Sequence, residues 1–194
     1  MSRVQRSYEV IVVGAGSAGS VLAARLSGDP TRSVLLLEGG PDHDAFDAPA
    51  GVQSPNFFNA VSEPGRIWPD LLARRSSGQP ESLYVRGRGA GGSSSVNAMA
   101  AIRGTVDDYE RWSGEFGCAG WGWSEMLDAF RRVEDDLDYG GDALHGAGGP
   151  VPLSRLPLAE MPPLDRVLRT ALVELGYPVF DDYHALGATG VSRI

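Results

Sequence analysis

The sequence predicts an α/β domain whose parallel sheet begins with a strand–helix–strand crossover. Three observations predict it. The β-branched run Val10-Ile11-Val12-Val13 leads directly into Gly14-Ala15-Gly16-Ser17-Ala18-Gly19. A helical period follows, and a second apolar run, Val34 to Leu37, closes on Glu38-Gly39-Gly40. A second glycine-rich loop, Gly87 to Asn97, then returns about seventy residues after the first.

Each element has a local reason. Tyr8 to Val13 does not alternate, as befits a strand buried on both faces. Ser17 to Leu26 sets Ala18, Val21, Leu22 and Leu26 on one helical face, and Gly28-Asp29-Pro30 stops it. Ser33 to Leu37 reads as a second buried strand. Strands joined by one helix within about thirty residues run parallel with a right-handed crossover. Pro41 to Pro80 holds no period and is rich in proline, glycine and serine. It reads as a long irregular connection of the kind that covers a ligand or another chain. Ala98 to Arg103 reads as short and buried. Ser124 caps a predicted helix carrying Met126, Phe130, Val133 and Leu137. A second carries Leu164, Val167, Leu168, Ala171, Leu172 and Leu175, and ends at Gly176 with Pro178 beyond. Both stripes read as core packing, and Glu134-Asp135-Asp136 reads as a solvated helix face. Gly140 to Pro150 reads as loop and Val151 to Ser154 as extended.

Composition narrows the function. A chain of 194 residues with 42% apolar content suits one ordered domain with a partial second. A net charge of −8 argues against a nucleic-acid binder. All 17 basic residues are arginine. The lone Cys118 excludes an intramolecular disulfide and a multi-cysteine metal site, and reads as a small buried or half-buried residue. His43, His145 and His184 share no metal-ligand spacing, so no metal is predicted. Arg3 and Arg6 precede an apolar run, but Glu9 interrupts it, which suits a strand better than a signal peptide. No run reaches the roughly 18 apolar residues of a membrane span. The expectation is a soluble, cytoplasmic protein.

The glycines carry the chemistry. A pyrophosphate uses the free N–H groups and partial positive charge of a helix N-terminus, here at Ser17 and Ala18, provided the backbone comes close. Gly14 permits the turn out of the strand, Gly16 clears the path of the phosphates, and Gly19 lets helix and strand pack closely. Glu38 ends the second strand, placed to accept hydrogen bonds from a ribose diol. This pattern predicts a Rossmann-like dinucleotide site for either NAD or FAD. The second loop favours FAD, because a flavin requires another low-bulk segment along the diphosphate and ring.

The run Gly87-Arg88-Gly89-Ala90-Gly91-Gly92-Ser93-Ser94-Ser95-Val96-Asn97-Ala98-Met99-Ala100-Ala101-Ile102-Arg103-Gly104 resembles the first signature of the glucose–methanol–choline (GMC) flavoprotein oxidoreductases. Asp108-Tyr109-Glu110-Arg111-Trp112, Gly120-Trp121, His145-Gly146 and Gly149-Pro150-Val151 are similar to later family segments, in family order. Trp68-Pro69 is loosely similar to the family's tryptophan segment. Within that family the chain resembles the choline dehydrogenase-like alcohol dehydrogenases.

The resemblance implies an FAD-dependent oxidoreductase that takes a hydride from the CH–OH group of a small alcohol. It implies Gly14, Gly16 and Gly19 at the pyrophosphate, Glu38 at the adenosine ribose, and Gly92, Ser93, Asn97 and Ala98 along the flavin half. Asn97 would bond the flavin directly, while Ser94 and Ser95 either do likewise or cap the backbone of the loop. Val96 stands where some members carry a histidine joined covalently to the flavin, so the FAD is expected to be non-covalent. Ala90 replaces a larger aliphatic residue. None of the three histidines matches the family's general base, so no catalytic residue is assigned.

The expected division is 1–112, the N-terminal part of an FAD-binding domain including the connection 41–80, and 113–194, the start of a substrate domain. The chain reads as an N-terminal fragment that leaves strand edges and apolar helix faces exposed and is not independently stable. An NAD(P)-dependent dehydrogenase and a non-catalytic fragment or split subunit are the alternatives. The alcohol and the electron acceptor stay unassigned.

Overall fold

A computed structural model describes residues 7–43, 46–187 and 189–193. The chain forms two compact units, Met1–Met99 and Ala100–Ile194.

The first unit opens with the expected crossover. β1 (Val10–Val13) leads into α1 (Ser17–Ser27) and then β2 (Val34–Leu37). The strands pair in parallel, with Val10 opposite Val34 and Val13 opposite Leu37. The Gly14 N–H donates to the Leu37 carbonyl at 2.7 Å, carrying the ladder one step into the glycine loop. The predicted two-sided burial is not found. Val12, Ala15 and Ala23 are buried, but Ile11 is 55% exposed and Val13 81%. One helix covers only one face of a two-stranded sheet, and Val21 and Leu22 of α1 face outward as well.

The connection holds short elements, as expected. α2 (Phe57–Ser62) is capped by Asn56, whose side chain accepts from the Phe58 N–H. β3 (Leu72–Ala73) pairs antiparallel with β4 (Ser82–Leu83). A 3₁₀ turn, Gly92–Ser95, follows. Ala98 to Arg103 is a correction. It forms no regular element, and Met99 and Ile102 are both exposed. An unpaired irregular stretch has no layer to press its side chains inward.

The second unit contains a helix that periodicity did not mark. α3 (Val106–Gly114) is built on a capping box between Thr105 and Asp108. Its charged surface hides the period, and only Tyr109 is buried. Tyr109 packs among Trp112, Trp123 and Phe130, with ring centroids 5.7–6.0 Å apart. α4 (Trp123–Val133) starts from Gly122. Ser124 is therefore not its cap; its hydroxyl donates to Glu125 instead. β5 (Glu134–Asp136) continues directly from α4 and pairs in parallel with β6 (Val151–Leu153).

α5 (Pro163–Glu174) ends as expected, with Gly176 at φ +89°. Its stripe is surface, against the core-packing reading and in line with the expected exposure of apolar helix faces: Leu164, Val167, Leu168 and Leu175 are all exposed. Helical spacing shows that a face is apolar, not what lies against it. Cys118 is exposed rather than buried, in the turn after α3. Among the described residues, no helix is long and apolar enough to cross a membrane.

Candidate functional site

The two glycine loops meet in the first unit. Gly16 and Gly91 form a parallel bridge, and the Gly91 N–H donates to the Ala15 carbonyl at 2.8 Å. The approach depends on missing side chains. A Cβ at Gly92 would lie 2.8 Å from the Gly16 Cα, and Gly92 itself has φ +53°. A Cβ at Gly19 would strike the Gly14 carbonyl oxygen. By contrast, a Cβ at Gly16 would meet nothing nearer than 3.9 Å, so the space before α1 is open. No side chain caps α1, and no acidic residue sits in its first turn. Its leading N–H groups and partial positive charge thus stand beside Ser17 and Ala18, as an anion requires.

Glu38 ties the loops together. Its Oε2 accepts from the Ala15 N–H at 2.7 Å, and its Oε1 from Gly40 at 2.9 Å and Gly89 at 3.0 Å. These bonds, the Ala15 N–H foremost, hold its carboxyl below the ordinary glutamate value against the opposing effect of burial. Each carboxylate oxygen has two acceptor directions; Oε1 has both filled, and Oε2 keeps one for a hydroxyl donor. Ala15, Gly40 and Gly89 were not singled out from sequence. The Glu-Gly-Gly that closes β2 was the available signal for Gly40.

The serines serve the backbone. Ser94 Oγ donates to the Gly91 carbonyl at 2.5 Å and Ser95 Oγ to Ala90 at 2.8 Å, while Ser93 Oγ accepts from the Gly87 N–H at 3.0 Å. Asn97 Oδ1 accepts from the Met99 N–H at 2.9 Å, forming a local turn. Asn97 and Ala98 are exposed at the far end of the loop, and no bond draws them to the Glu38 clasp. Trp68 packs against Gly39, with the Arg88 guanidinium 5.3 Å from its ring centre.

A separate charged cluster occupies the second unit. The acidic run is not solvated: Glu134 and Asp136 are buried in β5. Arg103 grips Glu134 at 2.5 Å, and Arg155 grips Asp136 at 2.5 Å. His145, 2% exposed, faces Asp136 through Nδ1 at 2.8 Å and Asp182 through Nε2 at 3.1 Å. Burial pushes the Asp136 carboxyl up, but the Arg155 bond and the Tyr139 and Asp138 N–H groups outweigh it and bring it down to about 2. Burial, aided by the Arg103 charge, pushes the His184 imidazole below its usual value.

Ligand atoms of His145, Asp182 and His184 lie within 4.8 Å of one another, as do those of Glu134, Asp136 and His145. Separate loops bring these residues together, so spacing along the chain did not reveal it. Two guanidiniums already supply positive charge to these carboxylates. Arg103 precedes Glu134 by 31 positions, and Arg155 follows Asp136 by 19. No local period can signal such a pairing.

A family profile described as GMC oxidoreductase matches residues 8–194. The chain is 38% identical over 194 residues to the oxygen-dependent choline dehydrogenase of Xanthomonas campestris, covering 96% of this chain and 33% of that protein. The crystal structure of a pyridoxine 4-oxidase from Mesorbium loti superposes with TM-score 0.77 and 38% identity, over 90% of this chain and 33% of that one. An FAD-dependent oxidoreductase from Chaetomium thermophilum superposes with TM-score 0.76 and 28% identity, over 95% of this chain and 32% of that one. The chain thus spans about a third of the length of the curated relatives it matches.

Proposed function

This chain belongs to the GMC oxidoreductase family, and from that premise we propose that it supplies the FAD-binding part of an enzyme oxidising the CH–OH group of a small alcohol. The observation that carries the reading is the Glu38 clasp. One carboxylate joins the first glycine loop at Ala15 to the second at Gly89, beside an uncapped helix N-terminus. That donor set suits a ribose next to a diphosphate.

FAD, when bound, supplies the hydride acceptor at its N5. The chain's own residues bind and orient. Gly14, Gly16 and Gly19 present the Ser17 and Ala18 N–H groups to the pyrophosphate. Glu38 accepts from the ribose hydroxyls. Gly92, Ser93, Asn97 and Ala98 lie along the flavin half. Val96, buried at 6% exposure, offers no nucleophile, so the flavin is held non-covalently. Residues 1–112 form the N-terminal part of the FAD domain, and 113–194 begin the substrate domain. We assign the general base to none of the three histidines. His145 is occupied by Asp136 and Asp182, and the ring nitrogens of His184 are sealed from solvent.

The test is a cofactor competition. The full chain is equilibrated with FAD, NAD⁺ and NADP⁺ together, then desalted and its bound nucleotide extracted. FAD retained near one per chain is the expected result. Retention of a nicotinamide dinucleotide instead refutes the flavin assignment.

A further inference from the structure

Arg66 is a buried cation with no counter-charge among the described residues. It is 3% exposed, and its Nε is shut from solvent with no hydrogen-bond partner. Its guanidinium makes no ion pair or hydrogen bond among the described residues. An unpaired buried guanidinium is strongly disfavoured. The buried carboxylates of the second unit, by comparison, each have an arginine.

Its position is specific. The Arg66 carbonyl accepts from the Arg88 N–H at 2.7 Å, which fixes the residue against the second glycine loop. Its Nη1 lies 3.3 Å from where a Cβ would stand on Gly89. The N–H of that same Gly89 is held by Glu38. Only a glycine hydrogen therefore separates the guanidinium from the loop that carries the clasp.

Charge balance says what Arg66 is for. The cradle consists of backbone groups and the Glu38 carboxylate. A diphosphate entering it meets that negative charge, against which the α1 terminus offers only about half a positive charge. Arg25, the cation of α1, sits in its last turn, away from the phosphates, and the Arg88 guanidinium of the second loop lies over the Trp68 ring. We propose that Arg66 is the cation of the dinucleotide site and that its guanidinium takes an anionic oxygen of the ADP half. This rests on the reading that the chain binds FAD. Arginine suits the role because its planar fork matches phosphate geometry and stays charged when desolvated.

The experiment compares the full wild-type chain with Arg66→Met and Arg66→Lys. FAD, ADP and adenosine are each titrated, and thermal midpoints are recorded without nucleotide. Arg66→Met is expected to weaken FAD and ADP by about 10- to 100-fold and to leave adenosine, which lacks phosphate, unchanged. Its midpoint without nucleotide is expected to equal or exceed that of wild type, because an unpaired buried charge has gone. Arg66→Lys keeps the charge but loses the fork and falls between. FAD and ADP binding within about threefold of wild type overturns the proposal, and so does an equal loss of adenosine, which would mark a structural role. ADP binding that depends on Arg66 without FAD binding sinks the flavin reading and leaves the anion site standing. A wild-type chain that binds none of the three overturns both.

Discussion

Replacing Glu38 with glutamine separates the clasp from mere bulk at the end of β2. The side chain keeps its shape and one oxygen. That oxygen can still accept from Gly40 and Gly89, now at 2.9 and 3.0 Å from the glutamate Oε1. The amide nitrogen then faces the Ala15 N–H, which today donates to Oε2 at 2.7 Å. Donor meets donor, and Ala15, at 6% exposure, has little water to turn to. A charge-assisted bond of about 1.5–3 kcal/mol is lost, and an orphaned buried donor costs about 1–3 kcal/mol. The two overlap, so about 2–4 kcal/mol is expected in the stability of the clasp, and FAD affinity falls by as much of that, up to roughly 30- to 1000-fold, as binding must spend to restore the loops. Titration of the quenching of free flavin fluorescence measures it. Because the Glu38 carboxyl is held below 4.5, its contribution is complete above that pH and fades as pH falls through the lowered value. Wild-type affinity should therefore drop on acidification, while Glu38→Gln stays flat. Affinity within about threefold of wild type at pH 7, or an unchanged pH slope, would refute the reasoning.

Arg155→Met should cost about 3–5 kcal/mol in urea unfolding, because it strands Asp136, whose side chain is 0% exposed; an unmoved midpoint would count against the pairing. In the wild-type chain, Asp136 titrates at about 2 instead of 3.8. It thus contributes on the order of 2 kcal/mol above pH 4 that disappears as pH falls toward 2, and acid-unfolding curves should flatten there in Arg155→Met. Thr105→Ala removes the α3 capping box and should cost about 1 kcal/mol; hydrogen exchange of the α3 amides should rise first, and unchanged protection would show that the cap is idle. Bound flavin should pass entirely into the supernatant on acid precipitation, since Val96 cannot form a covalent link; flavin in the pellet would overturn the non-covalent assignment.

The crossover was legible because each cause is local. A β-branched run, a glycine at φ +95°, an apolar helical face and a closing glutamate all speak through their immediate neighbours. The C-terminal end of α5 was legible for the same reason: a glycine in the left-handed region ends it. The burial assigned to these elements was not. Val13, Val21 and Leu164 are apolar at the right period yet exposed, because period reports which face is greasy and says nothing of what covers it. Cys118 misled similarly, since a small residue beside glycines can just as well sit in an open turn.

The charged residues resisted reading for a different reason. A carboxylate is solvated by default, and only a partner distant in sequence overturns that. Glu134-Asp135-Asp136 looked like a water-facing helix because the arginines within a helical turn of it, Arg131 and Arg132, are not the ones that draw it inward. Its arginines arrive through Arg103, ahead of α3, and Arg155, after β6. Each pairing ties together two parts of the chain distant in sequence, and removing one partner strands the other's buried charge. Glu38 obeys the same logic with backbone donors in place of arginines. Its position after β2 marked it as a ligand residue, but its bonds to Ala15 and Gly89 make it also the strut that holds two loops at ligand distance. The glycines serve that strut: a Cβ at Gly92 would press on the Gly16 Cα, push the loops apart and pull the carboxylate off its donors.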